Sequence, residues 1–286
     1  MLRSLRKIVR GSPRLQKGST HAWSRWQHLK WQARNLVTHR RPVTYAAGQL
    51  SIALYPEGQI PEFLWLADFE LADRNFVAAY LRPGMQVFNV GANVGLYSVL
   101  ASVLVGEKGR VHAFEPSTES YGRLLRNLEL NDCRNVAAVR LALSDIRREL
   151  VLRADPLYPS YDGHRFVESI SSAGNLLSSD EIVQASTLDC YLAQLGCLDV
   201  DFMIIDVEGA ELGVLEGGIE TLTRANPTLL LECSKHQEAI EDLLMKLGYR
   251  FWTWDMIKRT LKPADFREAI KKGNVVVRRE GWDAIP

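Results

Sequence analysis

Residues 87–95 read V-F-N-V-G-A-N-V-G, and residues 111–116 read V-H-A-F-E-P, with Glu115 standing twenty residues after Gly95. A short apolar strand runs into a turn of small residues and then an apolar helix, and a second apolar strand ends on a single carboxylate. That combination restricts the chain to a parallel sheet with helices crossing over its faces. It also puts backbone amides and an acid at the carboxyl edge of the sheet, where a nucleoside can be held with the acid on its ribose hydroxyls. The turn alone is a weak signal. G-A-N-V-G lacks the G-x-G-x-x-G spacing of a dinucleotide fold, and small residues after a strand also serve simply to let a helix pack closely.

The rest of the body continues the alternation. Strands are predicted at 86–90, 110–114, 136–141, 202–206 and 228–232, with helices at 96–105, 118–131, 188–195, 212–224 and 237–247. Closing strands are expected at 249–254 and 274–279. In helix 118–131, Tyr121, Leu124, Leu125 and Leu128 recur at i, i+3, i+4, i+7 and define an inward face. Residues 149–186 read as less regular, with one strand at 149–153 and a Ser/Tyr/Gly-rich stretch at 159–180. Within it Y-P-S-Y-D-G-H-R (158–165) is aromatic and polar, a candidate wall or lid for a substrate. Repeated strand–helix units with short turns give an α/β, doubly wound, mostly parallel sheet with helices on both faces.

Charge divides the chain more sharply than its net +1 suggests. Residues 1–56 hold eleven Lys/Arg and no Asp or Glu, leaving 24 basic against 34 acidic residues in 57–286. The sequence is therefore read as a basic arm, 1–56, joined to an acidic body, 57–286. Ala22, Trp26, Leu29, Ala33 and Leu36 share one helical face of the arm, a pattern suited to a membrane surface, a protein partner or packing on the body. An acid-free, Arg- and Ser-containing start also fits a transit peptide. No segment reaches the roughly 18 apolar residues of a membrane span, so the body is expected to be cytoplasmic, with peripheral membrane contact open to the arm. Four cysteines without C-x-x-C or metal-ligand spacing read as free thiols, and no metal is expected. An acidic body without a recognition fold argues against nucleic acid. His112, within a strand, reads as a packed residue, as do Trp252 and Trp254.

Two further elements follow strands. Leu141–Asp145, L-A-L-S-D, is placed to meet an adenine edge, and residues 205–211 read I-D-V-E-G-A-E. Two carboxylates two residues apart at a strand end, followed by glycine, suggest chemistry, although an N-cap and a first-turn acid explain the same pattern. Taken together, G-A-N-V-G, A-F-E-P, L-A-L-S-D and I-D-V-E-G-A-E resemble the FkbM-type family of S-adenosylmethionine-dependent methyltransferases over residues of roughly 80 to 250.

The resemblance implies a class I methyltransferase fold of seven strands with the last antiparallel, S-adenosylmethionine as cofactor, and methyl transfer to a hydroxyl of a sugar, glycan or small metabolite. It implies that Asn89, Gly91, Asn93 and Gly95 surround the methionine part of the cofactor. Glu115 would bind the ribose, Ser144 and Asp145 would lie near the adenine, and Asp206 would sit beside the methyl end. Glu208 is the candidate base, with Asp206, Glu232 and His236 as alternatives. The family usually has Asp where this chain has Asn89 and Lys where it has Ile204. A lost ammonium at 204 would change the pocket; alternatively, strand alternation points the side chain into the core, where Ile fits. A second function therefore stays open, a non-catalytic adapter that keeps the fold and binds a membrane or protein through its arm. A nicotinamide-dependent oxidoreductase is disfavoured by the glycine spacing and by the absence of a Tyr-x-x-x-Lys pair.

Overall fold

The computed structural model describes residues 33, 43–47, 50–55, 70–154, 165–172, 174–196 and 199–279. The amphipathic pattern at 22–36 lies, apart from Ala33, outside the described residues, and so does 158–164. The described chain opens with a hairpin, β1 (Val43–Ala47) and β2 (Leu50–Leu54), followed by helix α1 (Leu71–Tyr80). The alternation comes next: β3 (Gln86–Val90), α2 (Leu96–Val105), β4 (Arg110–Phe114), α3 (Thr118–Leu130) and β5 (Val136–Val139). An insertion of β6 (Ala142–Leu143), β7 (Arg148–Ala154), β8 (Arg165–Ser169) and β9 (Glu181–Ser186) leads to α4 (Leu188–Leu195). Then follow β10 (Phe202–Ile205), α5 (Glu211–Glu216), α6 (Ile219–Arg224), β11 (Thr228–Leu231) and α7 (Gln237–Lys246). The last described elements are β12 (Tyr249–Asp255), β13 (Thr260–Pro263), α8 (Phe266–Ile270) and β14 (Val275–Arg279).

The main sheet has eight strands in the order β13-β12-β14-β11-β10-β3-β4-β5. β3, β4, β5, β10 and β11 run parallel, and β14 is inserted antiparallel between β11 and β12. The expected seven-stranded doubly wound sheet is present, with its last strand antiparallel. β13, which the sequence reading passed over, extends the edge as a hairpin with β12. Side chains of the central strands alternate between two cores. Phe202 and Ile204 join one with Leu100 and Leu104, while Met203 and Ile205 join the other with Leu188 and Ile240. Continuous apolar strands are what a sheet covered on both faces requires.

Several expectations need correction. The described residues within 149–186 are mostly regular: β7 pairs antiparallel with both β8 and β9, giving a second sheet of order β6-β9-β7-β8. The predicted helix 212–224 is two helices, broken at Gly217-Gly218. A Cβ at Gly217 would lie 2.0 Å from the Ser144 carbonyl oxygen, so the backbone of this turn touches the next segment directly. Leu124 and Leu128 are buried as expected, but Leu125 is 45% exposed. The arm drawn from charge at 1–56 also cuts through the fold. Leu50, Ile52 and Leu54 of β2 are buried in the core beside α3, so the change in charge does not coincide with the edge of the packed body.

Asn127, fully buried on α3, fastens that hairpin to the glycine turn. Its Oδ1 accepts from the Ala53 N–H at 2.8 Å and its Nδ2 donates to the Val94 carbonyl at 2.7 Å. Asn127→Ala leaves one donor and one acceptor orphaned in the interior and is expected to destabilise the protein by about 2–4 kcal/mol, read as a lower urea midpoint at unchanged slope.

Candidate active site

Four of the strand ends meet where the sequence places its chemistry. β3 and β10 are neighbours, so Gly91 and Asp206 leave the sheet side by side, and the Asp206 N–H donates to the Val90 carbonyl at 3.0 Å. Gly91 has φ 83°, and a Cβ on it would stand 1.8 Å from the Asp206 carbonyl oxygen. Only glycine lets the two backbones approach this closely. The next turn is closed by Asn93 (φ 48°), whose Oδ1 accepts from the Val94 N–H at 2.7 Å, and by the Gly95 N–H donating to the Ala92 carbonyl. An asparagine tolerates this left-handed conformation better than most residues.

Glu115 follows β4 and turns back onto this loop. Its Oε2 accepts from the Asn93 N–H at 2.7 Å and its Oε1 from the Ser117 N–H at 2.9 Å. The side chain is buried, and burial raises its carboxyl to about 7, against the lowering effect of the two amides. Each oxygen retains a lone pair, so an ionised Glu115 can accept two more hydrogen bonds. Two vicinal ribose hydroxyls match those two lone pairs, and the loop at Gly91–Gly95 provides the close backbone approach that a nucleoside needs. Arg165, the described end of the aromatic and polar stretch, acts electrostatically on Glu115 and lies 3.9 Å from Glu181.

Ser144 and Asp145 follow β6 directly. Ser144 Oγ donates to Asp145 Oδ1 at 2.8 Å, Arg148 pairs with the same oxygen at 2.8 Å, and Ser144 packs against Gly213 and Gly217 of α5 and its C-terminal end. The Ser144 N–H also donates to the Ser186 carbonyl at 2.9 Å, at the end of β9.

Asp206, Glu208 and Glu232 each bring a carboxylate oxygen to within 4.8 Å of the others. Asp206 and Glu232 end the adjacent strands β10 and β11, and their carboxyls hydrogen-bond to each other. Burial first, then this bond and the Glu232 charge, push Asp206 well above the usual carboxylate range. Burial and this neighbour therefore favour the protonated form of Asp206. Glu208 (φ 52°) and Gly209 (φ 97°) form a left-handed turn that returns the third carboxylate towards the pair. Such a spacing would also suit a hard divalent cation. His236 is exposed at the start of α7, and its side chain makes no hydrogen bond among the described residues.

Three residues near these acids escaped the sequence reading. Glu70, at the N-terminus of α1, accepts from the Tyr97 hydroxyl at 2.6 Å; burial raises it, and Glu232 raises it further. Asp73 is raised to about 7, by burial first and by Glu70 next. Lys235 lies across Gly209, and its Nζ sits 5.2 Å from the Phe166 ring centroid, linking the main sheet to the insertion. Glu70 and Asp73 precede Asp206 by more than 130 residues and carry no motif. Lys235 could have been noticed only as the cation following the Glu232 strand end.

The two departures at 89 and 204 are Cα partners on neighbouring strands. Both are 2% exposed; Asn89 Nδ2 donates to Ser98 Oγ at 2.9 Å, and Ile204 lies in the apolar core. The packing reading of Ile204 is the one that holds.

Residues 89–251 match the family model described as the methyltransferase FkbM domain. Among curated proteins, the methyltransferase sdnD of Sordaria araneosa is 29% identical over 168 residues, covering 51% of this chain and 64% of that protein. The AMB antimetabolite synthetase AmbE of Pseudomonas aeruginosa is 28% identical over 206 residues, 59% of this chain and 10% of AmbE. The chain thus spans less than two thirds of either relative. Among solved structures, methyltransferase FkbM from Methylobacillus flagellatus aligns with 76% of this chain and 54% of its own, at 13% identity and a TM-score of 0.43.

Proposed function

This chain belongs to the FkbM family of S-adenosylmethionine-dependent methyltransferases, and on that premise we propose that it methylates a hydroxyl oxygen of a sugar, glycan or other small metabolite. The observation that carries this reading is the group of three carboxylates beside Gly91 at the sheet edge. When bound there, S-adenosylmethionine supplies an already activated methyl group, so the protein's task is to align the acceptor oxygen and remove its proton. Glu115 holds the ribose hydroxyls, while the Gly91–Gly95 turn and Asp206 border the methionine end. Burial and the neighbouring Glu232 favour the protonated form of Asp206, so Glu208 is the carboxylate that takes the acceptor's proton. Its left-handed backbone, which opposes an ordinary side chain by about 1 kcal/mol, fits a residue held for such a role.

Two observations weaken the adapter reading: the loss of charge at 89 and 204 is absorbed by packing, and Glu115, Asp206 and Glu208 are all in place. The hydroxyl acceptor is tested by incubating the full chain with methyl-labelled S-adenosylmethionine and a panel of sugars, glycans, hydroxy acids and amines. Label appearing in an ether of a hydroxylated acceptor supports the proposal; label appearing only on nitrogen overturns it. With the acceptor in hand, Glu208→Gln is expected to lower kcat by about 10²–10⁴-fold. S-adenosylhomocysteine affinity should stay within about twofold, because Glu208 borders the acceptor and not the nucleoside. A Glu208→Gln enzyme with unchanged kcat would remove Glu208 from the base role.

A further inference from the structure

A small, solvent-open cleft of about 40 Å³ lies at the opposite edge of the main sheet, among Tyr80, Asp201, Asn226, Thr228, Arg278 and Arg279. Asp201 precedes β10 and Asp206 follows it, so the cleft is roughly 16 Å from the carboxylate group, measured along the strand. It is not part of the methyl-transfer site, and the inference drawn from it is independent of that reading.

The cleft is unusual in its unpaired polarity. Arg278, in β14, is only 9% exposed, yet it makes no hydrogen bond or ion pair among the described residues. Its guanidinium nitrogens are not among the buried unpartnered atoms, so they reach the open space of the cleft, where an anion can meet them. Asp201, the one acid lining the cleft, is not within ion-pair distance of Arg278, and its Oδ2 is occupied by the Gln86 N–H at 2.7 Å. Arg279, next in the strand, sends its guanidinium to the other face of the sheet. It reaches the Leu222 and Thr223 carbonyls at 3.3 and 3.5 Å while its Nε stays buried without a partner. Across the cleft, Asn226 (φ 53°) buries its Oδ1 with no donor. The Tyr80 hydroxyl donates to Thr228 Oγ1 at 2.7 Å, so Thr228 Oγ1 is already satisfied as an acceptor.

The cleft thus offers an anion the Arg278 guanidinium and offers a hydrogen-bond donor the unpartnered Asn226 Oδ1. We propose that this cleft binds a phosphate group, free or as a monoester. A hydrogen phosphate offers charged oxygens to the guanidinium, a pairing for which arginine is well suited. Its remaining P–OH, or a hydroxyl of the esterified molecule, donates to Asn226 Oδ1. Sulfate matches the first requirement and fails the second, so the site discriminates between two anions of similar shape.

The test is calorimetric titration of the full chain with inorganic phosphate, glycerol 3-phosphate and sulfate at matched ionic strength, with S-adenosylhomocysteine saturating the cofactor site. Saturable phosphate binding at least about tenfold tighter than sulfate is expected, weakened about tenfold or more by Arg278→Gln. Tighter binding of the ester would identify the source as a phosphorylated metabolite, and equal binding would identify free phosphate; both support the site. Asn226→Gly keeps the left-handed backbone and should abolish the preference for phosphate over sulfate, so the proposal stays testable even where Arg278→Gln fails to fold. No saturable phosphate binding, equal binding of sulfate by the unaltered chain, or undiminished binding by folded Arg278→Gln overturns it.

Discussion

Glu115→Ala is expected to weaken S-adenosylmethionine and S-adenosylhomocysteine binding by at least about a hundredfold. The side chain's charged oxygens are the acceptors available to the ribose, and each hydrogen bond to an ionised acceptor contributes about 1.5–3 kcal/mol. Its removal also strips the Asn93 and Ser117 amides of their partners, so the glycine turn loses the contact that shapes it. Calorimetric titration of both ligands measures the loss, and binding within about threefold of the unaltered chain would show that the ribose lies elsewhere. Glu115→Gln separates charge from shape, because it retains an acceptor oxygen but cannot ionise.

The pH dependence follows from the same residue and has two opposite signs. Burial raises the Glu115 carboxyl from 4.5 to about 7 in the unliganded fold, and Asp73 is raised from 3.8 to about 7. Between those values the folded state holds protons that the unfolded state has released. The stability linked to these two groups is therefore fully present below about 4 and is lost as pH rises towards 7. Cofactor binding runs the other way, because ribose hydroxyls donate to the ionised form. Affinity for S-adenosylhomocysteine should increase as pH rises through about 7 and then level off, whereas Glu115→Gln should show a flat profile. A pH-independent affinity in the unaltered chain would mean that Glu115 is not the group receiving the hydroxyls.

Much of this site was legible because its residues lie within short, regular local patterns. Gly91, Glu115 and Asp206 each follow an apolar strand directly, and a parallel sheet brings consecutive strand ends together by construction. What could not be read depends on contacts between distant segments. Glu70 reaches the site because α1 packs beside α2 and the Tyr97 hydroxyl holds it there, a relation with no period or motif. The break at Gly217 depends on the Ser144 carbonyl, more than seventy residues earlier. The insertion was missed for another reason: every residue of β8 is half-buried, and in β9 the apolar Ile182 is exposed, so neither sequence shows the alternation that marks a half-buried strand. Charge composition gives no sign that β2, although free of acids, contributes three apolar side chains to the core.

The paired positions 89 and 204 yield the prediction that most directly tests how this chain departs from its family. Ala113, Asn89, Ile204, Leu230 and Val276 form one row across five neighbouring strands, each the Cα partner of the next. Asn89→Asp places a carboxylate in that row at a 2% exposed position, with Ile204 and not a cation beside it. An uncompensated buried charge of this kind destabilises by about 3–5 kcal/mol when ionised. The loss should be largest near pH 8 and shrink towards pH 5 as the carboxyl takes up a proton, since burial raises its pKa. Ile204→Lys supplies an ammonium from the paired position on the neighbouring strand, whose backbone runs about 4.8 Å away, so Asn89→Asp should cost less when combined with Ile204→Lys than when made alone. Urea unfolding of the unaltered chain, the two single variants and the double variant gives the difference directly, expected as a favourable coupling of about 1–3 kcal/mol. Coupling of this size would mean that the two family charges stabilise each other and could be lost together without leaving an orphan, which keeps the sheet edge at Gly91 and Asp206 undisturbed. Additive effects would separate the two positions, and the missing ammonium at 204 would then have to be explained by its effect on Asp206, two residues further along the chain at the end of β10.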